Sequence, residues 1–294
     1  MSRTFKKILI IYNPKSTGDG KKNAKQLYND LRESSCRADI QLVQTTHAGH
    51  AEEIAQEYAD TTDLTLLVSS SGDGGYHELI NGVIASANEQ LVTAVLPSGN
   101  ANDHHRAVGS KNIVTSIVAG DFRRIDVIKI SSKIGGRDWS RYAHSYIGLG
   151  LTPAVGKQLT KTDLNFFNEK ILLLKYLFRY THVTIRHNEV RRRLSSLVFS
   201  NISQMSKIIK IAKASTVDDG KFEISAIIYR SKLRVLLALI KSTTFGLEES
   251  GSFSDYSFET IRRTLVQLDG EVYTIDKKSD VHIESVAGAL QMLE

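Results

Sequence analysis

The chain has 294 residues, 41% hydrophobic and 24% charged, the composition of an ordinary globular protein, and domains of ~100–200 residues make two the expectation. Its single cysteine, Cys36, excludes an intramolecular disulfide and fits a reducing compartment. The net charge of +6 favours an anionic partner such as a nucleotide or an acidic lipid and is too small to argue for nucleic acid. The charged residues 1–7 lead into an apolar run, 8–12, too short for a signal-peptide core. The apolar runs 171–174 and 235–240 fall far short of the ~20 residues a spanning helix needs. A cytoplasmic location is therefore expected.

Residues 8–12 are continuously apolar, as a strand buried on both faces is. Ala24, Leu27, Tyr28 and Leu31 then fall at helical spacing and give one apolar stripe. Residues 39–43 read as a strand, 51–58 as a helix, 64–68 as a buried strand, 76–87 as a helix, 92–96 as a strand and 112–118 as a helix. Such alternation predicts βαβ units and a parallel sheet. After Asp126 short alternating runs dominate: 141–147, 182–186, 194–200, 222–228, 264–268, 271–275 and 280–284. They predict a mostly antiparallel region, interrupted by helices near 165–178 and 232–241.

Three loops follow strands of the first region, and ligands of open α/β sheets bind at the carboxyl ends of strands. Asn13-Pro14-Lys15-Ser16-Thr17-Gly18 offers backbone N–H groups and a lysine to phosphates, or is a plain turn; it lacks the Walker A spacing. Ser71-Gly72-Asp73-Gly74-Gly75, followed by Glu78 and Asn81-Gly82, lets the backbone approach a bulky anion at a helix N-terminus. Asp73 beside an anion points to a metal-bound nucleotide or a ribose; otherwise it caps the helix. Pro97-Ser98-Gly99-Asn100-Ala101-Asn102-Asp103 is the third loop, where Asn102 or Asp103 also suits a helix cap. Three such loops on one sheet edge would converge on one crevice. Near the C-terminus, Asp269-Gly270 between two strands reads first as a tight hairpin turn, and Asp218-Asp219-Gly220 has the same simple reading.

Together these segments resemble the diacylglycerol kinase catalytic family, which includes bacterial lipid kinases, sphingosine kinases and ceramide kinases. Its pattern runs Asn-Pro-x-Ser-Gly, Gly-Gly-Asp-Gly-Thr with a downstream Glu and Asn-Gly, Pro-x-Gly-Thr-x-Asn-Asp, and a late Asp-Gly-Glu. The matching residues are Asn13, Pro14 and Gly18; Gly72, Asp73, Gly74, Glu78, Asn81 and Gly82; Pro97, Gly99, Asn102 and Asp103; and Asp269, Gly270 and Glu271. Arg106, Asp126, Asn201 and Asp218–Phe222 resemble further family positions.

The resemblance implies an α/β nucleotide-binding domain over 1–128 and a mostly antiparallel β-sandwich lipid-substrate domain over 129–285. Residues 286–294 either return to the first domain or stay with the second. It implies ATP and Mg²⁺ as cofactors and an active site in a cleft between domains. Asn13, Pro14, Lys15 and Gly18 would line the nucleotide site with Gly72, Asp73, Gly74, Gly75, Glu78, Gly99, Asn100, Asn102 and Asp103. Asp73 and Asp103 would serve the metal, and Asp219 a second, structural one. Asp269 would be the general base for the lipid hydroxyl, with Glu271 nearby, its loss removing activity without unfolding the chain. The implied acceptor is diacylglycerol or a related lipid, met by peripheral contact at a membrane surface; a homodimer stays open.

Three departures matter. Ser71 stands for the pattern's first glycine and Gly75 for its threonine, and Asn100 replaces the threonine of the third loop. They keep open a non-catalytic nucleotide- or lipid-binding regulator. An NAD kinase-like enzyme, which shares the Gly-Asp-Gly loop, is the other alternative. The pairs His47/His50 and His104/His105 lack the further ligands a zinc site needs. Arg191-Arg192-Arg193 reads as a solvated face or a headgroup contact, and residues 166–178 as an interfacial or a buried helix.

Overall fold

The computed structural model describes residues 4–109, 112–153, 182–205, 209–210, 216–229 and 249–294. The chain divides into two units, Met1–Asp126 with Gly288–Glu294, and Val127–Ala287.

In the first unit strand β1 (Lys7–Tyr12) is followed by helix α1 (Gly20–Glu33), β2 (Asp39–Gln44), α2 (His50–Glu57), β3 (Thr65–Ser71), α3 (Asp73–Ser86), β4 (Leu91–Pro97), α4 (Asp103–Val108) and α5 (Ile113–Ala119). The strands pair in parallel in the order β4-β3-β1-β2, with Ile8 opposite Leu66 and Leu66 opposite Val92. All seven residues of β3 are buried, which is why the run reads as continuously apolar rather than alternating. The α1 stripe of Ala24, Leu27 and Leu31 packs on Ile8, Ile10, Leu66, Val68, Val92 and Ala94. Each buried Leu, Ile or Val among them contributes about 1.5–3 kcal/mol. Asn112 caps α5 by accepting the Thr115 N–H at 3.2 Å. The C-terminal segment joins this sheet: Met292 lies parallel to Thr93, and the Glu294 N–H donates to Asp121 O at 3.0 Å.

Strand β5 (Phe122–Ile134) begins in the first unit and runs on into the second. There follow β6 (Arg137–Ala143), β7 (Tyr146–Gly150), β8 (Val183–His187), β9 (Val190–Ser200), the short β10 (Gln204–Met205) and β11 (Ile209–Lys210), and β12 (Phe222–Ile228). Then come β13 (Glu249–Phe253), β14 (Asp255–Thr260), β15 (Thr264–Leu268), β16 (Glu271–Ile275) and β17 (Asp280–Leu293). The pairings β5–β6, β7–β9, β9–β12, β8–β14 and β15–β16 are all antiparallel. Ile147, Leu149, Leu197, Phe199, Phe222, Phe258, Val266 and Leu268 fill the core of this unit.

The elements differ from those expected in several places, β10, β11, β13 and β14 among them. The strand expected at 141–147 is two strands, because the amides of His144 and Ser145 turn to a side chain, Asp269, instead of a ladder. The strand expected at 280–284 continues to Leu293, and β5 went unpredicted. The helices expected near 165–178, including the interfacial candidate, and near 232–241 lie outside the described residues.

Candidate functional site

Strands β1, β3 and β4 are neighbours, so the loops that leave their carboxyl ends meet on one sheet edge. Backbone and side-chain hydrogen bonds lock them together. The Gly18 N–H donates to Ser98 O at 2.9 Å, and the Ser98 N–H donates to Ser71 O at 3.0 Å. Asn23, from the first turns of α1, donates to Gly18 O at 2.9 Å and to Ser98 Oγ at 3.0 Å. Ser70 Oγ donates to Gly20 O at 2.8 Å and lies 3.1 Å from Ser98 Oγ. Within the first loop Asn13 Oδ1 accepts the Lys15 N–H at 2.9 Å, an Asx turn that leaves Pro14 and Lys15 exposed.

The second and third loops touch at two glycines. A Cβ on Gly99 would lie 2.4 Å from the Gly72 Cα, so no larger residue fits without parting the loops. Gly72 is the N-cap of α3 and no side chain caps that helix. The first-turn amides of Gly74 and Gly75 have no carbonyl one turn back to bond. With the helix dipole they present a positive end to an anion.

Asp73 instead caps the next helix. Its carboxylate accepts the Asp103 N–H at 3.1 Å and the His104 N–H at 3.3 Å. Asn102, with φ 51, closes a reciprocal pair of hydrogen bonds with Gly99. Asp103 is buried and pairs with Arg106. Burial pushes His105 below its ordinary value of 6.5, against an opposing pull from a backbone hydrogen bond at Val95 and from Asp73. Glu78 is half-buried on α3 and Asn100 is exposed. Asn81 donates to His77 O at 2.8 Å, and a Cβ on Gly82 would lie 2.5 Å from Glu52 O, so glycine lets α3 approach α2.

In the second unit, Asp269 and Gly270 have φ 47 and φ 109, the left-handed pair that a two-residue hairpin between β15 and β16 requires. The Asp269 side chain is fully buried. Its Oδ2 accepts the His144 N–H at 2.8 Å, and its Oδ1 accepts the N–H groups of Ser145 and Tyr146 at 3.0 Å each. His144 Nε2 lies 3.5 Å from Oδ2, and His144 Nδ1 lies 2.8 Å from Ser145 Oγ. The Asp269 carboxylate thus fastens the β6–β7 turn to the β15–β16 hairpin. Glu271 opens β16 exposed. Asp219 is exposed in a turn where its Oδ1 accepts the Lys221 N–H at 3.0 Å.

Sequence reasoning missed Asn23, Ser70, Ser98 and His144. The signal for the serines was present, since three hydroxyls, Ser69–Ser71, finish a strand that is otherwise apolar. Nothing marks Asn23 or His144 before the fold is known.

A solved diacylglycerol kinase structure from Bacillus anthracis str. Sterne superposes with a TM-score of 0.68 at 20% identity over 98% of this chain and 97% of that one. The fold is thus that of the diacylglycerol kinase-like two-part α/β and antiparallel architecture. Residues 7–130 match the family model of the diacylglycerol kinase catalytic domain. The Bacillus subtilis diacylglycerol kinase is 28% identical over 135 residues, 44% of this chain and 43% of its own length. The Saccharomyces cerevisiae sphingoid long chain base kinase 5 is 33% identical over 109 residues, 34% of this chain and 15% of its own length. The chain thus matches less than half the length of either relative.

Among the described residues no group of three or more His, Cys, Asp or Glu is placed to hold a metal. A Mg²⁺ carried by a nucleotide needs only one or two carboxylates beside phosphates and water. Each carboxylate oxygen has two lone pairs, so Asp73 can cap α4 and meet such an ion. Asp103 fits less well than expected, because its side chain is enclosed and engaged by Arg106. The donor set fits a nucleotide-borne Mg²⁺ at Asp73 and not a dedicated protein cage.

Proposed function

We propose that the chain is an ATP-dependent lipid kinase, with diacylglycerol or a related hydroxyl-bearing lipid as acceptor. The observation that carries this reading is the convergence of three hydrogen-bonded loops on the uncapped N-terminus of α3. Phosphoryl transfer is mostly positioning and charge neutralisation, and this edge supplies both. The amides of Gly74 and Gly75 hold phosphate oxygens. Gly72 and Gly99 admit the nucleotide close to the backbone, Gly18 with Asn13 and Lys15 forms one wall, and Asn100 and Asn102 form the other. Bound Mg·ATP supplies the phosphoryl group and offsets its charge, with Asp73 as the protein's ligand.

Asp269 is the carboxylate proposed to take the lipid hydroxyl's proton, with Glu271 two residues on. Three backbone amides donate to its oxygens, and His144 Nε2 lies 3.5 Å from Oδ2. Peripheral contact with a membrane surface belongs to the same reading, because a lipid acceptor is met there. The test is transfer of radiolabel from ATP, with Mg²⁺, to a total lipid extract. Labelled lipid from the wild type, and none from Asp269→Asn that circular dichroism shows to be folded, is expected; equal labelling by both would remove Asp269 as the base.

A further inference from the structure

The two departures from the family pattern in the second loop occupy one volume. Ser71 ends β3 and Gly75 sits four residues on, in the first turn of α3. Cβ atoms of a helix lean toward its N-terminus, so position 75 reaches back over position 71. A Cβ built on Gly75 would stand 2.4 Å from Ser71 Oγ and 2.7 Å from Ser71 Cβ. Side chains at 71 and 75 therefore exclude each other. The pattern carries glycine at the first position and threonine at the second; this chain carries serine and glycine.

We propose that Ser71 and Gly75 are an exchanged pair, in which Ser71 supplies from the strand end the hydroxyl that the pattern places on the helix. Ser71 then acts as a positioning residue for nucleotide phosphate at the start of α3. The proposal rests on the kinase reading above. Ser71 is 4% exposed, lies 2.7 Å from Ser69 Oγ and donates to Gly72 O at 3.0 Å. It therefore fills the space behind the Gly74 and Gly75 amides and fixes the carbonyl of the N-cap residue. A hydroxyl proton can turn from that carbonyl to a phosphate oxygen without moving the backbone. Ser69, bonded behind it, orients it in either state.

The experiment compares wild type, Ser71→Gly, Ser71→Ala, Gly75→Thr and the double variant Ser71→Gly/Gly75→Thr. Thermal unfolding gives Tm, and calorimetry gives Kd for ATP with Mg²⁺. Ser71→Gly and Ser71→Ala should both bind ATP about tenfold more weakly, the effect of one hydrogen bond to a charged group. Gly75→Thr alone should lower Tm, because its Cβ meets Ser71. The double variant should recover Tm and bring Kd within about threefold of wild type, a strong non-additivity. Ser71→Ala that binds like wild type would show that only volume matters and overturn the proposal. So would a double variant no better than Gly75→Thr. A wild type that does not bind Mg·ATP would overturn the kinase reading and the phosphate role together, whereas tight binding indifferent to Ser71 overturns the exchange alone.

Discussion

The Asp269 carboxylate accepts three backbone amides while its own backbone sits at φ 47. Asn at this position presents an NH₂ group to amide donors, so an acceptor is lost inside a fully buried site. The expected cost of Asp269→Asn is about 1–3 kcal/mol, read as a lower urea midpoint; an unchanged midpoint would refute the fastening role. Activity of this variant must accordingly be compared per folded molecule. His105 yields a pH prediction. Burial lowers its folded-state affinity for a proton below the ordinary 6.5. Below that pH the unfolded chain binds more protons than the folded one, so stability falls as pH drops through 6.5 toward the lowered folded value and is flat above. Replacing His105 with Gln should flatten the stability-against-pH slope below about pH 6.5 by up to one proton; denaturant titrations from about pH 5 to 7.5 measure it, and an unaltered slope would contradict the assignment.

At the scale of elements, loop contacts matter more than loop composition. Gly99→Ala places a methyl 2.4 Å from the Gly72 Cα, and backbone cannot yield as a side chain does. About 1–3 kcal/mol of stability should be lost, with weaker ATP binding by calorimetry as the second and third loops part; retained affinity would show that the two loops act independently. The parallel half was legible in the sequence because both-face burial makes strands such as 8–12 and 64–68 continuous apolar runs, with turns that carry Gly, Pro or Asn. The hairpin at Asp269-Gly270 was legible for the same chemical reason, since two left-handed residues demand that dipeptide. The break between β6 and β7 was not legible, because its cause lies more than a hundred residues away in Asp269. The three loops were readable by position, but the bonds of Asn23, Ser70 and Ser98 that join them arise only once β1, β3 and β4 lie side by side. The competition between 71 and 75 was likewise hidden: the sequence shows two odd residues, and only the backbone shows that they share a space.

For the whole molecule, the family match ends at residue 130, so the kinase reading rests on the first unit. Val127–Ala287 has its own core, and its likeness to a solved diacylglycerol kinase at 20% identity concerns fold alone. The acceptor must therefore be found by chemistry. The most direct measurement incubates the wild-type chain with radiolabelled ATP and Mg²⁺ in two parallel arms, one with a total lipid extract in detergent micelles and one with NAD. The account predicts label in a lipid phosphate ester and none in the dinucleotide. Label in NAD, or label in neither while ATP still binds, would contradict it, pointing in the first case to a small-molecule kinase and in the second to a nucleotide-binding protein that does not turn over.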